Sequence, residues 1–171
     1  MKRGLWLIFV ELVIISFAWS FNPAYERFPL GVIWSLGISM FILGLLIKLP
    51  YKLILGIGLI IVFGHNLLDF PEAATGFNGG FWLDLLHSSK WTSYQIIGNR
   101  NLIIAYPFLP WLGLMIMGYC TGQLFSPQFD SSKRKKLLTQ TGIALLVLFV
   151  ILRGINIYGD PIIWSQQRNG L

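Results

Sequence analysis

Lys133-Arg134-Lys135-Lys136-Leu137-Leu138-Thr139-Gln140-Thr141-Gly142-Ile143-Ala144-Leu145-Leu146-Val147-Leu148-Phe149-Val150-Ile151-Leu152 sets four consecutive cations against a run with no ionisable side chain. Its apolar residues do not alternate, so it does not read as a strand of a membrane barrel. It reads as a helix in hydrocarbon, where about 20 residues at 1.5 Å each cross a core of about 30 Å. Four more runs of this kind lie upstream. The expected spans are about 4–21, 30–49, 53–69, 102–125 and 137–157, with one long outer loop at 70–101. The expected fold class is therefore all-α. It is a polytopic transmembrane helical bundle of about five spans, forming a single transmembrane domain over 1–171.

Composition agrees. Of the 171 residues 55% are apolar and 12% charged, about half the charged share of a soluble domain. Mean hydropathy is +0.67. Too few polar side chains remain to coat a globule in water, so the main partner is the lipid bilayer. The net charge of +6 lies in short segments between apolar runs, which is a topology signal and not a nucleic-acid footprint. Cys120 is the single cysteine, so no disulfide forms within the chain. Lys2 and Arg3 before an apolar stretch imitate a signal peptide, but Glu11 interrupts that stretch. An uncleaved first helix is expected.

Prolines punctuate the pattern. Pro23 and Pro29 bracket the first loop, Pro50 separates spans two and three, and Pro127 follows span four. Pro107 and Pro110 should leave the entry to span four kinked or partly unwound, with neighbouring protein satisfying the freed carbonyls. Within the outer loop, Phe81-Trp82-Leu83-Asp84-Leu85-Leu86 suits a short interfacial helix. Gly118-x-x-x-Gly122 would let another helix approach span four closely.

Cations set the orientation. With the N-terminus inside, Lys2, Arg3, Lys48, Lys52, Lys133, Arg134, Lys135 and Lys136 face the cytoplasm, and Arg27, Lys90, Arg100, Arg153 and Arg168 face outward. The inner cations occupy the shorter loops, where the positive-inside rule applies. N-in and C-out in the inner (plasma) membrane is the expected topology.

Several ionisable residues need a reason to lie near lipid. Glu11 falls near the middle of span one, where a carboxylate costs about 2.5–3.5 kcal/mol on insertion scales. It is either a proton or substrate contact or a hydrogen-bonded packing residue. His65 and Asp69 lie four apart on one helix face, with Asn66 beside them. A carboxylate one turn away raises and orients an imidazole, as a general base requires. The pair could equally serve only to satisfy a helix end. Arg153, Asn156 and Asp160 also share a face, at the same membrane level. Arg153 could pair with Asp69, hold an anionic substrate group or snorkel to headgroups. His87 in the outer loop could join an external site, although a loop histidine is more often solvated. Tyr106 and several tryptophans fall near the expected interfaces. No nucleotide loop, zinc motif or serine elbow is present, and no metal is expected.

Five phrases in order carry a resemblance. They are Arg3-Gly4-Leu5-Trp6-Leu7 with Glu11, Ile33-Trp34-Ser35-Leu36-Gly37, Gly64-His65-Asn66-Leu67-Leu68-Asp69, Tyr106-Pro107-Phe108-Leu109-Pro110-Trp111-Leu112-Gly113, and Leu152-Arg153-Gly154-Ile155-Asn156-Ile157-Tyr158-Gly159-Asp160-Pro161. Together they resemble the bacterial membrane family that carries the heparan-α-glucosaminide N-acetyltransferase catalytic domain. The resemblance spans nearly the whole chain and corresponds to the middle of that family's fold. It implies a membrane-bound acyltransferase taking acetyl-CoA as donor and a sugar or similar acceptor on the outer side. His65 and Asp69 are then the catalytic candidates. Glu11, Asn66, Tyr106, Arg153, Asn156 and Asp160 are the substrate-binding candidates. A partial member would draw missing helices from a companion chain or a homo-oligomer. The alternatives are a small transporter or permease subunit, with Glu11 and the His65–Asp69 pair relaying protons, and a noncatalytic membrane remnant.

This topology makes a direct prediction. Reporter fusions at Asp69 and at Asp160 should register on the same, non-cytoplasmic side of the membrane. Opposite sides would remove the outer site.

Overall fold

The computed structural model describes residues 1–74, 79–88 and 90–155. Helix α1 spans Lys2–Ser20, α2 Val32–Leu46, α3 Tyr51–Ala73, α4 Gly80–Leu86, α5 Leu109–Thr121 and α6 Ser131–Ile155. Among the described residues α1, α3 and α6 are long and apolar enough to cross a membrane. With 15 residues α2 reaches about 22 Å at 1.5 Å per residue, and α5 has 13.

Local chemistry sets the helix ends. Phe21 takes a left-handed conformation at φ 48 and closes α1. Pro50 precedes α3, and Pro110 sits in the first turn of α5, where its missing N–H is not needed. Asp130 starts α6 by accepting from the Lys133 backbone N–H at 2.8 Å and the Ser132 hydroxyl at 2.7 Å.

The structure corrects the expectation of helices alone. Strands β1 (Arg27–Leu30), β2 (Thr92–Ile97) and β3 (Arg100–Ile104) form a sheet in the order β1-β3-β2. β1 runs parallel to β3, and β2 antiparallel to it. The β2–β3 hairpin turns at Gly98, where φ is +59, a value glycine adopts without steric cost. Pro29 is tolerated because β1 is an edge strand. Residues 102–104, expected to begin span four, belong to β3. Pairing gives partners to backbone groups that Pro107 and Pro110 keep out of a helix.

The anticipated rescue of the proline-rich entry is present. The buried Ser35 hydroxyl donates to the Pro107 carbonyl at 3.0 Å. The Phe108 carbonyl accepts from the Leu112 N–H at 2.9 Å. Ser39, also buried, donates to its own helix at the Ser35 carbonyl, 2.7 Å away.

Glycines bring the helices together. A Cβ on Gly4 would lie 2.5 Å from the Gly37 carbonyl oxygen, so α1 and α2 touch backbone to backbone. A Cβ on Gly113 would lie 2.6 Å from Ile61, and one on Gly58 would lie 2.7 Å from Ile116, which pairs α3 with α5. Gly118 and Gly122 meet no neighbour within 4 Å. The close approach at α5 therefore uses Gly113. Ile54, Leu112, Ile116 and Cys120 form the buried core between α3 and α5. Leu30, Ile104 and Leu85 form a second core where α4 covers the sheet.

The helices run antiparallel in turn. A Cβ on Gly44 would meet Met1, and the Tyr51 hydroxyl donates to the Cys120 carbonyl at 3.5 Å. One end of the bundle thus gathers Lys2, Arg3, Lys48 and Lys52. Arg134 joins them, its guanidinium reaching the Leu124 carbonyl at 3.4 Å. The opposite end carries the sheet, α4 and most of the carboxylates.

Gly4→Val or Gly37→Val should lower stability by about 1–3 kcal/mol through overpacking. Gly118→Val should leave the thermal midpoint of the purified, detergent-solubilised protein nearly unchanged.

Candidate functional site

α3 is not uniformly wound. It is α-helical over Tyr51–Gly64, tightens to a 3-10 turn over His65–Leu68, and resumes as α-helix over Asp69–Ala73. Pro71 has no N–H to donate to the carbonyl four residues back, and its ring crowds that turn. The tightened segment holds His65, and Asp69 begins the helix that follows it. The Asn66 side-chain amide donates to Asp69 Oδ2 at 3.1 Å.

His65 and Asp69 converge on a third residue, His87, which ends α4. His87 Nε2 lies 3.4 Å from His65 Nδ1 and 3.7 Å from Asp69 Oδ1. On its other side His87 Nδ1 contacts Glu72 Oε1 at 2.9 Å. His87 is 8% exposed, so this loop histidine is buried and not solvated. Glu72 extends the His65–Asp69 helix face by one more turn. A helical count carried through Pro71 would have found it. The Lys90 ammonium donates to the Glu72 carbonyl at 3.2 Å.

An ionised carboxylate only accepts hydrogen bonds, so Glu72 fixes the proton of a neutral His87 on Nδ1. Nε2 of His87 then accepts from His65 when the His65 proton is on Nδ1, and that tautomer puts the basic lone pair of His65 on Nε2. The arrangement is a carboxylate–imidazole–imidazole relay with Asp69 as a second negative charge beside it. Ser88 adjoins it, and its buried hydroxyl has no hydrogen-bond partner among the described residues. No group of three or more His, Cys, Asp and Glu side chains suited to a metal ion occurs among the described residues.

Glu11 belongs to a different place. It is 3% exposed and sits in a π-turn over Val10–Ile15. Its Oε1 accepts from the Gly31 N–H at 2.9 Å and its Oε2 from the Trp34 N–H at 3.2 Å. It therefore caps the start of α2, where backbone donors lack partners and the helix dipole favours negative charge. The Ser16 hydroxyl donates to the Glu11 carbonyl at 3.0 Å and satisfies part of the π-turn. Tyr106 shares a cleft with Glu11. Neither belongs to the histidine cluster. Asp69 turns toward Asn66 and His87, while Arg153 lies on α6, none of whose described residues is buried. Asn156 and Asp160 fall outside the described residues.

α4 is held over the sheet by the Tyr94 hydroxyl, which donates to the buried Asp84 Oδ2 at 2.8 Å. Burial first, then this hydrogen bond and the Asp84 charge, push the Tyr94 phenol from 10.0 up to about 12.

The family model described as "Heparan-alpha-glucosaminide N-acetyltransferase, catalytic" matches residues 1–158. The chain belongs to this family. A heparan-α-glucosaminide N-acetyltransferase catalytic domain with three helices apolar enough to cross a bilayer is a membrane protein of acyltransferase type. No curated protein and no solved structure matches the chain. The family match covers all the residues of the histidine cluster and of the Glu11 cleft.

A neutral Tyr94 is favoured in the fold, so its stabilising contribution is complete below pH 10 and is lost as pH rises through about 12. A spectrophotometric titration should show one phenol ionising near 12. That step should disappear in Tyr94→Phe.

Proposed function

We propose that this chain moves an acetyl group from acetyl-CoA to an amine or hydroxyl of a sugar or similar acceptor, with His65 as general base. The observation that carries the reading is the Glu72–His87–His65 relay inside a family of acetyltransferase catalytic domains. In the step, the acceptor nitrogen or oxygen attacks the acetyl carbonyl carbon and the C–S bond breaks. The acceptor proton passes to His65 Nε2 and then to the departing thiolate of CoA. His87 and Glu72 share the positive charge that builds on His65, and Asp69 stabilises it. Asn66 keeps Asp69 in place. Arg153, with Asn156 and Asp160, remains part of the proposal as a contact for anionic substrate groups.

The reading includes five membrane passes in the inner (plasma) membrane, with the sheet end outside. Its support is the segregation of Lys2, Arg3, Lys48, Lys52 and Lys133–Lys136 from the carboxylates of Glu26, Asp69, Glu72 and Asp84. Lipid covers α6, together with a companion chain or second copy. The family match favours acyl transfer over the transport alternative. So does the separation of Glu11 from the histidine cluster, since a proton route would have to join them.

Membranes containing the chain should transfer the acetyl group of labelled acetyl-CoA to an amino-sugar acceptor. His65→Ala and His87→Ala should each lower the rate by about 10²–10⁴-fold, the usual worth of a positioned acid–base group. Glu72→Gln, which removes the charge but keeps an acceptor oxygen, should cost less. Wild-type rates in both histidine variants would end the proposal.

A further inference from the structure

Two backbone distortions meet at one cleft. The π-turn over Val10–Ile15 carries Glu11, and Trp91 occupies the left-handed region at φ 55. π-turns inside helices and left-handed non-glycine residues are both uncommon, and both gather at functional sites. Here Glu11 and Trp91 line the same cleft of about 330 Å³, between α1, the start of α2 and the segment after β3. Its walls are mainly apolar and include Ile15, Trp19, Ile33 and Ala105. Trp91, Ala105 and Tyr106 also line a second hollow, together with Pro107 and Trp111.

The polar groups in this cleft are few and placed. Glu11 is buried, and each of its oxygens accepts one backbone N–H. A carboxylate oxygen has two acceptor sites, so these two bonds do not use up the acceptor capacity of Glu11. Ile15 and Trp19 lie on α1, a helix apolar enough to cross a membrane. Trp19 and Val32 of its lining are 75% and 40% exposed, which gives an apolar ligand a way in beside this helix. An apolar pocket with a few convergent polar groups fits a ligand that is mostly apolar and oriented by one donor.

We propose that this cleft binds a lipid-borne amphiphile. A long alkyl or isoprenoid chain lies along Ile15, Ile33 and Trp91, and a hydroxyl or amine donates to Glu11. Nothing in this proposal requires His65 or His87 to be catalytic.

The test uses the full chain in membranes and two photoactivatable probes, a long-chain alcohol carrying a diazirine and the alkane of the same length. Cross-links are mapped by peptide mass spectrometry and normalised to those on the exposed Leu146 and Phe149 of α6. The alcohol should label the peptides bearing Ile15, Ile33 and Trp91 several-fold more than the alkane does. Val32→Trp, a substitution at the 40% exposed lip of the cleft, should cut that labelling several-fold. Ala105→Leu, which fills the interior, should do the same. His87→Ala should label as the wild type does, so loss of acetyl transfer and loss of binding are separate results. A normalised signal unchanged by both cleft variants overturns the proposal, and so does an alkane that labels the cleft as strongly as the alcohol.

Discussion

A carboxylate buried among apolar helices must be met by hydrogen-bond donors, and Glu11 is met by the backbone of Gly31 and Trp34. Much else depends on that contact. It ties the middle of α1 to the start of α2 and so fixes how far the two helices slide past each other. The Gly4–Gly37 contact sits one to two turns away on the same interface and needs that register to within a fraction of an ångström. Hydrogen bonds between membrane helices average about 0.6 kcal/mol each. The capping bonds therefore act chiefly by position, and the close backbone packing around them supplies most of the cohesion.

The same rule, that backbone groups away from water find partners, acts again at this end of α2. Ser35 reaches across to the Pro107 carbonyl, and β3 pairs on both sides before the chain turns into α5. Pro107 lies just before the start of α5 at Leu109, the stretch ahead of it pairs as a strand, and the sheet gives a platform for α4. Leu85 and Asp84 anchor α4 to that platform. With α4 anchored, His87 at its end is delivered to α3. The placement of His87 beside His65 thus follows from the docking of α4 and from a strand pairing that contains neither histidine.

Two kinds of site lie at one end of the bundle. The histidine cluster combines charge, burial and exchangeable protons, which suits proton transfer. The Glu11 cleft combines apolar walls with one carboxylate, which suits recognition. The two proposed roles, binding and chemistry, thus fall on different helices, with α1 and α2 shaping one site and α3 and α4 the other. The family match extends over both.

Much of this was legible in the sequence. Runs without charge identified the helices, because the cost of an unpaired polar group in hydrocarbon leaves few alternatives. The helical period placed His65, Asn66 and Asp69 together, since neighbours on a helix face are set by local geometry alone. It missed Glu72 because the expected span ended at 69, whereas the chain takes one tight turn and continues as helix through Pro71. Other features were decided by tertiary structure. The sheet pairs residues 27–30 with 101–104, far apart in the chain, and no local periodicity announces so distant a partner. His87 lies 22 residues from His65, in a segment whose composition suits a solvated loop. Only the docking of α4 on the sheet buries it. The sequence alone determined which residues could not face lipid, because transfer cost belongs to each side chain. The fold decided which of them meet, because contact depends on how helices and strands pack.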